Sequence, residues 1–178
     1  AVELGKEVWG EKHLGYLTCM NTLSLVLSGL GNYQKAIEIE LQLNELRKDV
    51  LGEKHPDYLK SLNNLASVYS NLGDYQSALK IDLKVVFLKR EILGEKHPDY
   101  LISKGNLAST FADFGDHQSA LTINKEVVEI EKEVLGEKHP RYLTTLSNLA
   151  NSYSYLDDYQ TALAINHQVL NIKEEVLG

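Results

Sequence analysis

From Tyr58 to Leu72 the apolar residues fall at three- and four-residue steps: Tyr58, Leu59, Leu62, Leu65, Ala66, Tyr69 and Leu72. At 100° per residue these positions share one arc, which predicts an amphipathic helix, helix A. His55-Pro56-Asp57 marks its start, since proline suits the first helical position and an acid suits the positive end of the helix dipole. Gly73 marks its end by offering left-handed backbone. Asp74 then caps a second helix, B. Its stripe is Ala78, Ile81, Val85, Leu88 and Ile92, widened by Tyr75, Leu79, Val86 and Leu93. An arc that wide predicts burial against more than one neighbour. The helices expected are His55–Leu72 and Asp74–Leu93, with counterparts at 42-residue offsets and no strand.

The pattern itself repeats. Leu-Gly-Glu-Lys-His-Pro-Asp-Tyr-Leu at 51–59 returns unchanged at 93–101, returns at 135–143 with Arg141 for Asp, and has a weaker form at 9–17. Between Leu51–Ile92 and Leu93–Val134, 24 of 42 positions are identical, so the chain is an array of like units. The fold class expected is all-α, an α-solenoid of antiparallel helix pairs in which each unit buries itself against its neighbours. Residues 1–8 read as the C-terminal half of helix B of a truncated preceding repeat. Repeats 1 to 4 follow at 9–50, 51–92, 93–134 and 135–176, and 177–178 match the start of a missing repeat.

Composition narrows the partners. The net charge of −7 argues against a nucleic-acid backbone. No apolar run approaches the ~20 residues of a membrane span. Cys19 is the single cysteine, which leaves no internal disulfide and fits a reducing, cytoplasmic setting.

Asn64-Leu-Ala-x-x-Tyr69, Leu72-Gly-Asp-Tyr75 and Ala78-Leu79 together resemble the tetratricopeptide repeat in its 42-residue form. The chain is similar to the repeats of kinesin light chain and of bacterial arrays attached to protease or signalling domains. The likeness spans essentially the whole chain, through Leu23/Leu65/Leu107/Leu149, Ala66/Ala108/Ala150 and Ala36/Ala78/Ala120/Ala162. It implies a right-handed superhelix that binds proteins in a concave groove lined by helix A. It also implies that Asn64, Asn106 and Asn148 hydrogen-bond a bound peptide backbone, with Thr22 in their place in the first repeat. Where the family usually places an aromatic on helix B stand Glu40, Asp82, Asn124 and Asn166, near Arg47, Lys89, Glu131 and Lys173. A satisfied polar seam between stacked helices is the reading preferred over a second ligand surface. Asp157 replaces a turn glycine, and His117 replaces a tyrosine.

The polar face of helix A supports the groove independently. It holds Lys60, Asn63, Asn64, Ser67 and Asn71 in the second repeat and Asn106 and Ser109 in the third. The fourth contributes Asn148, Asn151 and Tyr155, and the first Asn21. A solvated helix face normally carries Lys and Glu, whereas this one has only Lys60 and Asp113 as charges. Small amides and hydroxyls are poorer helix formers, so another requirement placed them. With Lys60 alone, a basic clamp for a C-terminal carboxylate is set aside. The alternatives are a purely architectural, self-associating rod, or the sensor arm of a multidomain enzyme whose catalysis lies elsewhere.

No enzyme, metal or cofactor is expected. His13, His55, His97 and His139 recur, but zinc ligands must converge to about 2 Å from the metal. Equivalent points on stacked helices stay roughly 8–10 Å apart, so these histidines read as caps. Leu83 and Phe87, four apart on helix B, form a candidate outer contact. The ends predict head-to-tail association. Val2, Leu4, Val8 and Trp9 would meet the stripe Ala162, Ile165, Val169, Ile172 and Val176 of another chain.

Overall fold

The computed structural model describes residues 6–8 and 10–177. From Leu14 onward eight helices follow one another, and no strand occurs among the described residues. The A helices are α1 (Leu14–Gly29), α3 (Pro56–Leu72), α5 (Pro98–Phe114) and α7 (Pro140–Tyr155). The B helices are α2 (Tyr33–Leu51), α4 (Tyr75–Leu93), α6 (His117–Leu135) and α8 (Tyr159–Leu177). The expected boundaries hold to within a residue. His55 is a cap with extended backbone (φ −73°, ψ 136°), and Pro56 opens the helix.

The chain divides into two compact units, Ala1–Leu88 and Lys89–Gly178. In unit 1, Tyr16, Leu17, Met20 and Leu43 join α1 to α2. Ala36 and Ile37 of α2 pack on Leu65 and Val68 of α3. Tyr58, Leu59 and Leu62 of α3 then pack on Val85 of α4. Unit 2 repeats the scheme: Leu121 and Val128 of α6 and Val169 of α8 enclose Tyr142, Leu143, Leu146 and Leu149 of α7. Within their units α3 and α7 each sit between the preceding and following B helices, so burial is spread over successive joints. Each such side chain contributes on the order of 1.5–3 kcal/mol.

That double contact buries more than the apolar arc foretold. Ser61 and Val68, Ser103 and Thr110, and Thr145 and Ser152 are all buried. Leu72, placed in the arc, is 45% exposed beside the turn. The turns run as expected, with Gly73 at φ 88° and Gly115 at φ 92°. Asp157 does the same work at φ 62°, the one non-glycine with positive φ among the described residues.

The polar seam is real but only partly satisfied. Glu40, Asp82 and Asn124 are buried, while Asn166 is exposed. Ser61 Oγ donates to Asn44 Oδ1 at 2.7 Å, and Asn124 Nδ2 donates to Ser152 Oγ at 2.9 Å. Both carboxyl oxygens of Glu40, by contrast, are buried without a hydrogen-bond partner. Burial pushes the Glu40 pKa up, against the smaller opposing effects of Ser24 and Arg47.

The last helix corrects one expectation. Most of the stripe assigned to an outer face turns inward: Ala162 and Val169 are buried and Ile165 and Ile172 pack against the core cluster around α7, while Val176 at the end is 51% exposed. The free face carries Leu163 and Leu170 instead, 60% and 54% exposed. Their equivalents in α6, Leu121 and Val128, are 6% and 9% exposed beneath α7. Helix B thus has one row for its own A helix and another for the next. Val8 is exposed; Val2, Leu4 and Trp9 lie outside the described residues.

Candidate functional site

Local chemistry sets the phase of every A helix. The Nδ1 atoms of His13, His55, His97 and His139 accept from the backbone N–H two residues on, at 3.0–3.1 Å. Each histidine ties down one of the amides left open at a helix start. Among the described residues no group of three His, Cys, Asp or Glu could hold a metal ion.

In unit 2 the polar faces of α5 and α7 border an open cavity of about 160 Å³. Ala108, Ser109, Ala112 and Asp113 form one wall, and Asn148, Asn151, Ser152 and Tyr155 the other. Asn124 of α6 lines it between them, its amide held by the bond to Ser152. Tyr155 stacks on His117 with ring centroids 4.7 Å apart and planes 6° from parallel. His117, the substitute for a tyrosine, thus braces the tyrosine at the cavity's edge. Small alanines leave room, two exposed or half-buried amides line one wall, and Asp113 is the only formal charge. Such a surface can exchange hydrogen bonds with a chain that has both donors and acceptors to satisfy.

Four residues selected from the sequence, Ser109, Asn148, Asn151 and Tyr155, meet at this cavity; Asn106 is exposed on α5 but does not line it. In unit 1 the amides behave differently. Asn64 Nδ2 donates to Asn21 Oδ1 at 3.0 Å, linking the polar faces of α1 and α3. Asn63 Oδ1 is buried without a partner. Lys60, Ser67 and Asn71 are exposed. Leu83 and Phe87 are 51% and 62% exposed on α4, as an outer contact requires.

Sequence reasoning missed an opening in unit 1, a cavity of about 800 Å³ bordered by Cys19, Leu23 and Val26 of α1 and by Ile39 and Gln42 of α2. Its signal was present in the period. Cys19, Leu23 and Val26 share the phase of Ser61, Leu65 and Val68, which α3 buries. Among the described residues, no helix is long and apolar enough to cross a membrane.

Comparison with known proteins agrees with this architecture. One tetratricopeptide repeat model matches residues 62–133 and 113–175, and a second matches residues 17–57. A kinesin-light-chain-like protein of nearly identical TPR-like repeats from Podosopora anserina superposes with a TM-score of 0.89 at 27% identity. That match covers 99% of this chain and 83% of the other. BtubC (BKLC) from P. vanneervenii gives a TM-score of 0.80 at 18% identity over 92% of this chain and 65% of its own. The apo form of RapI gives 0.77 at 16% identity over 98% and 61%. The last two likenesses are of fold alone. No curated protein shows significant sequence similarity to the chain. Matched over well more than half its length by the repeat models and built throughout both units of the corresponding helix pairs, the chain belongs to the tetratricopeptide repeat family.

Proposed function

We propose that the chain is a non-catalytic scaffold that binds an extended peptide or protein segment along the polar face of its A helices. The cavity in unit 2 supports this most, because Ser109, Asn148, Asn151 and Tyr155 converge there around a buried amide. An extended backbone carries one donor and one acceptor per residue, and asparagine answers both. The exposed Tyr155 ring, held by His117, offers a flat apolar surface for a ligand side chain. Net charge of −7 and near-neutral walls favour a protein ligand over nucleic acid. Panning a random-peptide phage library on the chain tests the reading. Selected peptides should lose binding to the Asn64→Ala/Asn106→Ala/Asn148→Ala variant while its helicity is unchanged. Equal binding to that variant would leave the amides a structural role only.

A second reading, favoured by α8, is that copies of the 178-residue chain associate head to tail. Leu163 and Leu170 present the row that α6 buries beneath α7, and Leu23 and Val26 of α1 present the complementary row. A second copy's α1 seated on α8 would reproduce the internal joint. Light scattering over a dilution series should show mass falling with concentration, and Leu170→Asp should abolish the effect. Constant monomer mass would remove this reading.

A further inference from the structure

Arg47, Lys89 and Glu131 occupy one phase of helix B, and Asp57, Asp99 and Arg141 one phase of the helix A that follows. In unit 1, Arg47 Nη1 donates to the Asp57 carbonyl oxygen at 3.4 Å. In unit 2, Lys89 Nζ donates to the Asp99 carbonyl oxygen at 3.2 Å. In both joints a helix-B cation serves a main-chain acceptor beside an acidic residue. The joint between α6 and α7 runs the other way. Glu131 is fully buried, and a carboxylate has nothing to donate to a carbonyl oxygen. The compensating charge comes from the opposite helix: Arg141 Nε lies 2.7 Å from Glu131 Oε1 as an ion pair, with neither Glu131 oxygen hydrogen-bonded. The same guanidinium donates through Nη2 to the Pro98 carbonyl oxygen at 2.7 Å, so one side chain links α7 to α6 and to the start of α5.

The joints share much of their apolar surface, although Leu62 and Leu146 correspond to Lys104, and Val68 to Thr110 and Ser152. Tyr58, Tyr100 and Tyr142 are equivalent, as are Leu59, Leu101 and Leu143, and Ala66, Ala108 and Ala150. A helix-A surface from one repeat would therefore meet a closely related helix-B surface on another. Charge separates them. Seated on α2 or α4, α7 would place Arg141 against Arg47 or Lys89. Seated on α6, α3 or α5 would leave Glu131 facing a carbonyl oxygen and an aspartate. A buried charge left without its partner is strongly unfavourable.

We propose that the inverted Glu131–Arg141 pair is an address on the α6–α7 joint. It admits α7 to α6 and disfavours the closely related helix-A surfaces of the same chain or of a second copy. Specificity among near-identical surfaces needs a repulsive element of this kind.

Three variants test the proposal: Glu131→Lys, Arg141→Asp, and the double variant, which copies the Lys89–Asp99 arrangement. Each is unfolded in denaturant, then refolded from a concentrated mixture of donor-labelled and acceptor-labelled chains. Interchain energy transfer is read in species that persist after dilution. The single variants should unfold at lower denaturant than the parent, and the double variant should recover most of the midpoint. The double variant should also form exchanged, mixed-label species severalfold more often than the parent. Three results overturn the proposal: single variants as stable as the parent, a double variant no more stable than the singles, or a double variant that recovers stability with no increase in exchange.

Discussion

Asn124 Nδ2 donates to Ser152 Oγ at 2.9 Å, tying α6 to α7 beneath the cavity of unit 2. The same two positions in unit 1 are Glu40 and Val68, and there the Glu40 oxygens have no partner. One pair of repeat positions is thus a satisfied bond in one unit and an orphaned carboxyl in the other. Replacing Ser152 by Val removes the acceptor and leaves a buried amide donor open. The cost expected is about 1–3 kcal/mol in denaturant unfolding. Adding Asn124→Leu should recover most of it, since both partners are then apolar. No loss in the single variant would mean the bond contributes nothing.

Glu40 carries a pH dependence of defined sign. Burial holds its pKa above the usual glutamate value of 4.5, so folding favours the protonated carboxyl. Its contribution is fully present below 4.5 and is lost as pH rises through the raised folded value. Glu40→Gln cannot ionise. The variant should unfold at higher denaturant than the parent at neutral pH, with the difference shrinking as pH falls toward 4.5. The capping acids act in the opposite sense, since Ser119 donors hold Asp116 below its usual value. They are common to both proteins and cancel in the difference. Parallel curves for parent and variant would contradict the account.

Asp157 holds left-handed backbone at φ 62°, where Gly73 and Gly115 stand in the earlier repeats. Left-handed backbone costs a residue with a Cβ roughly 1 kcal/mol or more. Asp157→Gly gives up an exposed bond from Tyr159 Oη (2.8 Å) but removes that strain. The thermal midpoint should rise by roughly 2–4 °C, the shift about 1 kcal/mol brings in a chain of this size. A lower midpoint would show that the Tyr159 bond outweighs the strain.

What was legible in the sequence was what local chemistry decides. His55, Pro56 and Gly73 announce a cap, a first turn and a stop within a few residues, and the helices follow them. Ser61 and Ser152 were not legible as core, because their burial depends on a neighbouring B helix that no single-helix pattern contains. The α8 stripe failed for the same reason. Periodicity identifies an apolar row without saying which neighbour it meets. The groove was half legible: the period placed Asn148 and Asn151 on a face that also holds Tyr155, but not the mutual bond of Asn21 and Asn64. The stacking of His117 on Tyr155 joins a helix-B start to a helix-A end, and only the folded pair shows it.

The groove itself is tested most directly by NMR titration of the labelled chain with a peptide selected on it. The side-chain amides of Asn148 and Asn151 and the ring of Tyr155 should shift together and saturate with one affinity. Leu83 and Phe87, exposed on α4, should stay in place. Shifts centred on Leu83 and Phe87, with Asn148, Asn151 and Tyr155 unmoved, would contradict binding at the helix-A face.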